Sequence, residues 1–225
     1  RDITAIGAPS NTLLQAQKRQ SLFLSGGWDI SPQITLTLDG LVSNRDTSKS
    51  YQSSDASPLV LYHTVTPGFS AAAGLEVLIF DTWKVHLSAV DSGSRNSQNI
   101  AIPDYDYQVQ AQTWNSTAEL EATADGTLIS TPAGEIKAAL GFGRRREAYR
   151  TSAGSDYNRS VAYAFVELLA PIIVPSETRT GLHELQFSIA GRLENYSDFG
   201  DSWNPKLGVR YVPFNALTFR ATWGK

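Results

Sequence analysis

The sequence of 225 residues contains neither cysteine nor methionine, so it can form no disulfide and no thiolate metal site. Charged residues are also scarce, at 18% of the chain against roughly 25% in typical soluble domains. A net charge of −3 and a pI of about 5.6 exclude the strongly basic balance usual in nucleic-acid-binding modules. No apolar run approaches the ~20 residues of a membrane helix. No basic segment followed by an apolar one marks a signal peptide.

The motifs that usually carry catalysis or metal binding are absent as well. The three histidines, His63, His86 and His183, lie far apart, and no two have the spacing of metal ligands. The sequence contains no nucleophile elbow, no metalloprotease motif and no glycine-rich phosphate loop. We therefore predict that the chain is not an enzyme and that it uses no cofactor or metal.

The sequence does contain a regular alternation of apolar and polar residues, which is clearest between residues 184 and 225. Because side chains alternate across a strand, each alternating segment predicts a strand with one apolar and one polar face. Three such segments follow one another, with apolar positions at Leu185, Phe187, Ile189 and Leu193, then Leu207, Val209 and Tyr211, then Leu217, Phe219, Ala221 and Trp223. A soluble sandwich shows the same alternation, but the long charged side chains between these positions suit a water-filled or plugged barrel interior.

Similar alternation predicts further strands at residues 21–30, 34–38, 71–80, 82–91, 112–124, 135–150 and 161–170. Stretches rich in Ser, Asn and Asp at 43–57, 92–106 and 151–159 are predicted to be long loops. Short turns near residues 32, 81, 133, 178 and 215 alternate with these loops. About ten strands of about ten residues, joined in this asymmetric way, are typical of an outer-membrane barrel. The predicted fold class is therefore all-β, with antiparallel up-and-down strands.

The period of two also predicts how neighbouring strands align, because residues on the same face must pair. In the first hairpin, Trp28 should lie opposite Leu36 and Ile30 opposite Ile34. In the last hairpin, a three-residue turn at 214–216 predicts three pairs, namely Pro213 with Leu217, Tyr211 with Phe219 and Arg210 with Arg220. Two arginines directly opposite each other repel, so we expect relief from water, from Glu194 or from an acidic residue outside this chain.

Several short motifs resemble those of a known family when they are taken in order. They are ADGTL at 124–128, PAGE at 132–135, ALG at 139–141, RRREAY at 144–149, RLENYSDFG at 192–200, NPKLGVR at 204–210, Pro213 and LTFRA at 217–221. Together they are similar to the β-barrel of TonB-dependent outer-membrane receptors, and the resemblance covers most of residues 21–225.

The resemblance implies a transmembrane barrel of about 22 strands with a plugged lumen. It implies a receptor in the bacterial outer membrane for active uptake of a scarce ligand, such as siderophore-bound iron, cobalamin or an oligosaccharide. Energy would come from the TonB complex, which would contact a part of the receptor outside this chain. We expect residues 1–225 to be one partial barrel of about ten strands, with the plug domain and the closing C-terminal strands lying outside it.

Two other functions are compatible with the residues. A soluble β-sandwich that binds carbohydrate would place the apolar faces in a dry core. A passive porin-like channel would have the same strands and no plug.

The polar positions include candidates for contact with a ligand or with the plug. Arg210 and Arg220 form the predicted arginine pair, and Arg192 and Glu194 lie on the same polar face of the preceding strand. A second candidate is the run Asp104, Tyr105, Asp106 and Tyr107 at the end of a predicted outside loop. Its aromatic rings and carboxylates could stack on and hydrogen-bond a sugar or a metal chelate.

The membrane-facing surface has candidates too. Arg144 and Arg146 lie where a strand of ~10 residues that begins at Glu135 would leave the bilayer. Their planar guanidinium groups suit the phosphates of lipopolysaccharide. An aromatic girdle at the membrane interface is predicted from aromatic residues near strand ends, which are Trp28, Trp83, Tyr211 and Trp223, with Phe80 and Phe214 beside them.

Overall fold

Ten antiparallel strands form one sheet in which each strand pairs with the next along the chain, from β1 to β10. The computed structural model describes residues 11, 14–54, 56–80, 82–174 and 181–225. The strands are β1 Ala16–Ser31, β2 Ile34–Tyr51, β3 Val60–Ile79, β4 Trp83–Ile102, β5 Tyr107–Thr131, β6 Gly134–Thr151, β7 Asp156–Ile173, β8 Glu184–Tyr196, β9 Gly200–Phe214 and β10 Leu217–Gly224. The predicted fold class and strand number are confirmed. In the described ranges, no helix has the length and apolar character needed to cross a membrane.

The alternation divides the sheet into two faces, which we name by one pair of neighbours. The outer face is the face of Leu36, and the inner face is the face of Thr37. The registers of the seven pairings from β2 to β9 carry Leu36 through Phe142 to Trp203, so the apolar positions share the outer face. The inner face is the more crowded. Val161 and Tyr163 there are 0% and 5% exposed, whereas Leu120 and Phe142 on the outer face are 65% and 64% exposed.

The strands are longer than predicted, and three predicted loops are mostly strand. Residues 43–51 belong to β2, residues 92–102 to β4 and residues 156–159 to β7. These stretches are polar on both faces, so no period of two marks them. Ladder hydrogen bonds hold them as strand, and Thr47 is packed between β1 and β3 with 7% exposure. The loop prediction was therefore wrong, and the connections that remain at 103–106 and 152–155 are short.

A β-bulge changes the predicted register at the first hairpin. Trp28 lies opposite Leu36, as predicted, but Ser31 rather than Ile30 lies opposite Ile34. The register shifts between Asp29 and Ser31, which leaves Ile30 without a partner. A bulge adds one residue to one strand, and a strict alternation of two cannot anticipate it.

The last hairpin shows the same effect. Arg210 lies opposite Arg220 and Tyr211 opposite Phe219, as predicted, and the Tyr211 and Phe219 rings stack with centroids 6.1 Å apart. The turn, however, contains two residues instead of three, because Phe214 rather than Pro213 pairs with Leu217. A bulge between Leu217 and Phe219 then restores the same-face pairing. The predicted turn near residue 178 lies outside the described residues.

Candidate functional site

The outer face carries no charged side chain near the short turns in the described part of the chain. Counted from these turns, the first charged residues on the outer face are Asp91, nine positions after Thr82, and Arg144, eleven positions after Ala133. Below them the apolar side chains are partly exposed, with Leu140 at 43%, Phe187 at 44% and Phe219 at 53%. A face that exposes large apolar residues over about ten positions of each strand requires a nonpolar environment.

The four aromatic candidates lie on this outer face, near the short-turn end of the sheet. Trp28 and Tyr211 are each four residues before a turn, Trp83 directly follows one, and Trp223 is seven residues after one. The Trp83 ring crosses Gly126 on β5, and its Nε1 donates a hydrogen bond to the carbonyl of Thr127 at 3.0 Å. The Tyr211 hydroxyl donates to the carbonyl of Gly181 at 2.5 Å. The girdle remains a prediction, with a geometry compatible with it.

The inner face contains a cluster of charged and tyrosine side chains that crosses β5 to β8, and Tyr163 is its centre. The Tyr163 hydroxyl donates to the carboxylates of Glu119 and Glu121, the latter at 2.7 Å. The guanidinium carbon of Arg192 lies 4.3 Å from the centre of the Tyr163 ring, which is within cation–π range. Gly143 makes this possible, because a Cβ at that position would lie 2.5 Å from the Tyr163 ring.

Glu147 forms ion pairs with two arginines. This part of the cluster lies farther from the short turns than the uncharged part of the outer face. Arg145 donates to Glu147 through Nε at 2.6 Å, and Arg159 donates through Nε at 2.9 Å and through Nη2. The hydrogen bond from Arg159 is the main cause of a lowered pKa of Glu147, and Arg145 acts in the same direction against the opposing effect of burial. Arg159 also lies 4.0 Å from the carboxylate of Asp198.

Glu194 completes the inner-face cluster. It accepts hydrogen bonds from Arg192 Nε at 2.9 Å and from the Tyr196 hydroxyl at 3.0 Å. Arg192 and Glu194 were predicted from the sequence, whereas the other members were not, and these are Glu119, Glu121, Arg145, Glu147, Arg159, Tyr163 and Tyr196. A signal was available, because charged residues two positions apart share a face, as in Glu119–Glu121 and Arg145–Glu147.

The arginine pair lies apart from this cluster. Arg210 forms an ion pair with Glu184, which is the inner-face residue diagonal to it on β8. Glu194 was therefore the wrong choice for the relieving carboxylate, because it lies ten residues along the strand and is bonded to Arg192 and Tyr196. Within the described residues, Arg220 has no carboxylate within 4 Å.

The acidic and aromatic run at 104–107 occupies a tight connection between β4 and β5. Pro103–Tyr105 forms a single 3-10 turn, and Asp106 follows it with φ 48°. Tyr105 and Tyr107 are 70% and 50% exposed. This connection lies at the end of the sheet opposite to the short turn of Arg210 and Arg220, so the structure does not unite the two candidates into one site.

Arg144 and Arg146 both point to the outer face, whereas Arg145 between them points to the inner face. Their side chains therefore do not contribute to the cluster of Tyr163. Among the described residues there is also no group of three His, Asp or Glu side chains that could hold a metal ion.

Comparison with known proteins assigns a family to this geometry. The family described as "TonB dependent receptor-like, beta-barrel" matches residues 7–225. The crystal structure of the siderophore receptor PirA from Acinetobacter baumannii is similar, with a TM-score of 0.69 and 15% identity, over 98% of this chain and 35% of that one. This chain thus spans about a third of the length of that receptor.

Two weaker structural similarities have TM-scores below one half. The β domain of the Bordetella autotransporter Brka gives 0.38 at 13% identity, over 96% of this chain and 86% of that one. The translocator domain of the autotransporter NalP from Neisseria meningitidis gives 0.34 at 13% identity, over 93% and 80%. No curated protein sequence matches this chain. The family match extends over nearly the whole sequence, and the chain therefore belongs to the TonB-dependent receptor-like β-barrel family.

Proposed function

We propose that this chain forms part of the barrel wall of a bacterial outer-membrane receptor that takes up a scarce ligand with energy from the TonB complex. The observation that carries the proposal is the difference between the two faces. The outer face is uncharged for about ten residues from each short turn, and the inner face opposite it carries the ion pairs Lys84–Glu76 and Arg210–Glu184 and the buried Tyr163. Lipid would cover the outer face, and the inner face would line the lumen.

The first ligand class to test is siderophore-bound iron. The similar structure is that of a siderophore receptor, and family resemblance adds cobalamin and oligosaccharides as further classes. Arg220 on the inner face is the strongest single candidate for contact with an anionic ligand or an acidic plug residue, because Glu184 pairs with Arg210 only. Arg192 and Glu194 would contribute through the cluster of Tyr163. The run at 104–107 would contribute from the far end of the sheet.

The alternatives fit the structure less well. A β-sandwich needs a second sheet to cover its apolar face, but all ten strands in the described residues belong to one sheet. A passive channel would share the wall, so the energy requirement must decide between a receptor and a channel.

Uptake by cells that express the full-length receptor tests the proposal. Accumulation of radiolabelled ferric siderophores, cobalamin or oligosaccharides should require both the receptor and a functional TonB complex. Accumulation that persists without TonB would indicate a passive channel instead.

Changing Arg210 and Arg220 together to Gln should lower uptake if these residues contact the plug or an anionic ligand. The matched control is Arg19→Gln with Arg45→Gln, which removes two charges from another directly opposed inner-face arginine pair. If both double variants take up ligand like the wild type, Arg210 and Arg220 have no role in transport.

A further inference from the structure

Beyond its uncharged part, the outer face carries four arginines that have no carboxylate partner. Arg95 lies on β4, and Arg144, Arg146 and Arg150 lie on β6. In the described ranges, no carboxylate oxygen comes within 4 Å of any of the four. The inner-face arginines of β6 to β9 differ, because each of them forms an ion pair. They are Arg145, Arg159, Arg192 and Arg210. The N–H donors of the outer-face arginines are therefore available to bind an anion from outside the chain.

A tryptophan holds two of these arginines in one row. Arg95 and Arg150 lie directly opposite Trp114 from the two neighbouring strands. Their guanidinium carbons are 5.8 Å and 5.0 Å from the Trp114 ring, which is within cation–π range. Trp114 therefore positions both guanidinium groups without using their N–H donors.

A groove of about 1050 Å³ on the outer face connects this row to the uncharged part of the sheet. Its apolar side is formed by Leu22, Val42 and Phe69, and its other end by Arg95, Trp114 and Arg150. Val42 is nine residues after Gln33, and Arg95 is thirteen residues after Thr82. A tilted strand crosses the hydrocarbon layer in about 9–11 residues. If the sheet crosses the membrane as in the proposed function, the groove begins at the edge of the hydrocarbon layer and its arginines lie in the headgroup layer.

The charge in this region is mostly positive. On β4, β5 and β6, the outer face beyond the uncharged rows carries these four arginines and one acidic residue, Asp91. Asp156 of β7 is opposite Arg150 in register, but its carboxylate accepts a hydrogen bond from Asn158 at 3.0 Å and makes no ion pair with Arg150. A groove that is apolar at its membrane end and cationic at its far end complements a lipid with a multiply anionic headgroup.

We propose that this groove binds the phosphorylated headgroup of a glycolipid in the outer leaflet. Arg95 and Arg150 bind phosphate with guanidinium groups oriented by Trp114, and Arg144 and Arg146 bind phosphate nearer the hydrocarbon edge. Guanidinium is well suited to this task, because its planar donors match phosphate geometry. The inference rests on the proposed function, because the outer face must lie against the membrane.

The test uses the full-length receptor, purified in detergent and freed of bound lipid, with lipid A as the probe. Native mass spectrometry would measure the binding of bisphosphorylated and of dephosphorylated lipid A. Wild-type receptor should prefer the phosphorylated lipid by about tenfold or more, which is the scale of one charge-assisted hydrogen bond. Arg95→Gln with Arg150→Gln should remove most of this preference and leave binding of the dephosphorylated lipid unchanged.

The control is again Arg19→Gln with Arg45→Gln, which makes the same charge change on the inner face. Trp114→Phe should retain the preference and Trp114→Leu should reduce it, if the ring orients the arginines. The proposal is overturned if the Arg95/Arg150 double variant and the control keep equal preferences, or if inorganic phosphate at the lipid's concentration displaces the lipid completely. TonB-dependent uptake by the same variants would show separately whether the proposed function stands.

Discussion

Neighbouring residues on a strand of this sheet face different environments, and Leu87 and Ser88 illustrate this on β4. Leu87 lies on the outer face midway between Trp83 and Asp91, and it is 45% exposed. Ser88 lies on the inner face, directly opposite Glu121. In the proposed orientation, Leu87 faces the middle of the bilayer and Ser88 faces water in the lumen.

We expect Leu87→Arg in the full-length receptor to cost about 2–4 kcal/mol of folding free energy in bilayers, as is usual for arginine on the lipid face at mid-membrane. Ser88→Arg should cost far less, because a lumen position accepts charge and Glu121 is available to pair with it. Reversible unfolding in lipid vesicles, followed by tryptophan fluorescence, would measure both free energies. Equal costs would show that the two faces are assigned incorrectly.

The hydroxyl of Tyr163 can be tested in the same way. It is the hydrogen-bond donor for Glu119 and Glu121, and the tyrosine is 5% exposed. Tyr163→Phe leaves two carboxylates without this donor, so it should lower the free energy of unfolding by about 1–3 kcal/mol. Tyr157→Phe is the matched control, because Tyr157 is 66% exposed and its hydroxyl makes no hydrogen bond within the described residues. A similar small effect of both changes would mean that the Tyr163 hydroxyl contributes nothing to stability.

Strands β6 and β7 approach each other closely at Gly143. A Cβ at residue 143 would lie 2.5 Å from the Tyr163 ring and 2.8 Å from the carbonyl oxygen of Leu120. Gly143→Ala should therefore destabilise the sheet by about 1–3 kcal/mol, as overpacking usually does. Gly40→Ala provides the comparison, because a Cβ there has no atom within 4 Å. Thermal unfolding of the two variants should differ clearly, and identical midpoints would contradict the packing at Gly143.

Elements differ in how far their sequence could predict them. Where one face is apolar, as at Trp28–Leu36 or Tyr211–Phe219, the period of two gave both the strand and its register. The period of two predicted the wrong pairing at Ile30 and Pro213. Each of them lies at a β-bulge, and no sequence pattern indicates the extra residue of a bulge. The period of two also failed beyond the uncharged rows, where polar residues on both faces look like loop and neighbouring strands alone keep them extended.

The inner-face cluster was harder to predict for a related reason. Its members come from four strands, β5 to β8, and register alone brings Glu119, Arg145 and Val161 into one row. A single error of one residue in a predicted strand would have moved each charge to the opposite face. Arg192 and Glu194 were found because they lie two positions apart on one well-marked strand. Tyr163 was missed because only Gly143 on the next strand explains its position.

The ten described strands form an open sheet. In the described ranges, each of the edge strands, β1 and β10, has one neighbour, and these two strands do not pair with each other. Unpaired strand edges and a large exposed apolar face both promote association. Each strand therefore pairs with the next one along the chain, but the two strand edges and the outer face still require partners.

We therefore expect the 225-residue chain, when it is expressed alone, to need detergent or to associate with copies of itself. Size-exclusion chromatography with light scattering would give its mass with and without detergent. Phe142→Glu with Leu87→Glu, which places charges on the outer face, should increase the soluble fraction but leave the edges able to associate. A monodisperse monomer of 24.5 kDa in detergent-free buffer would contradict the prediction. It would mean that this sheet covers its own apolar face, as a soluble sandwich does.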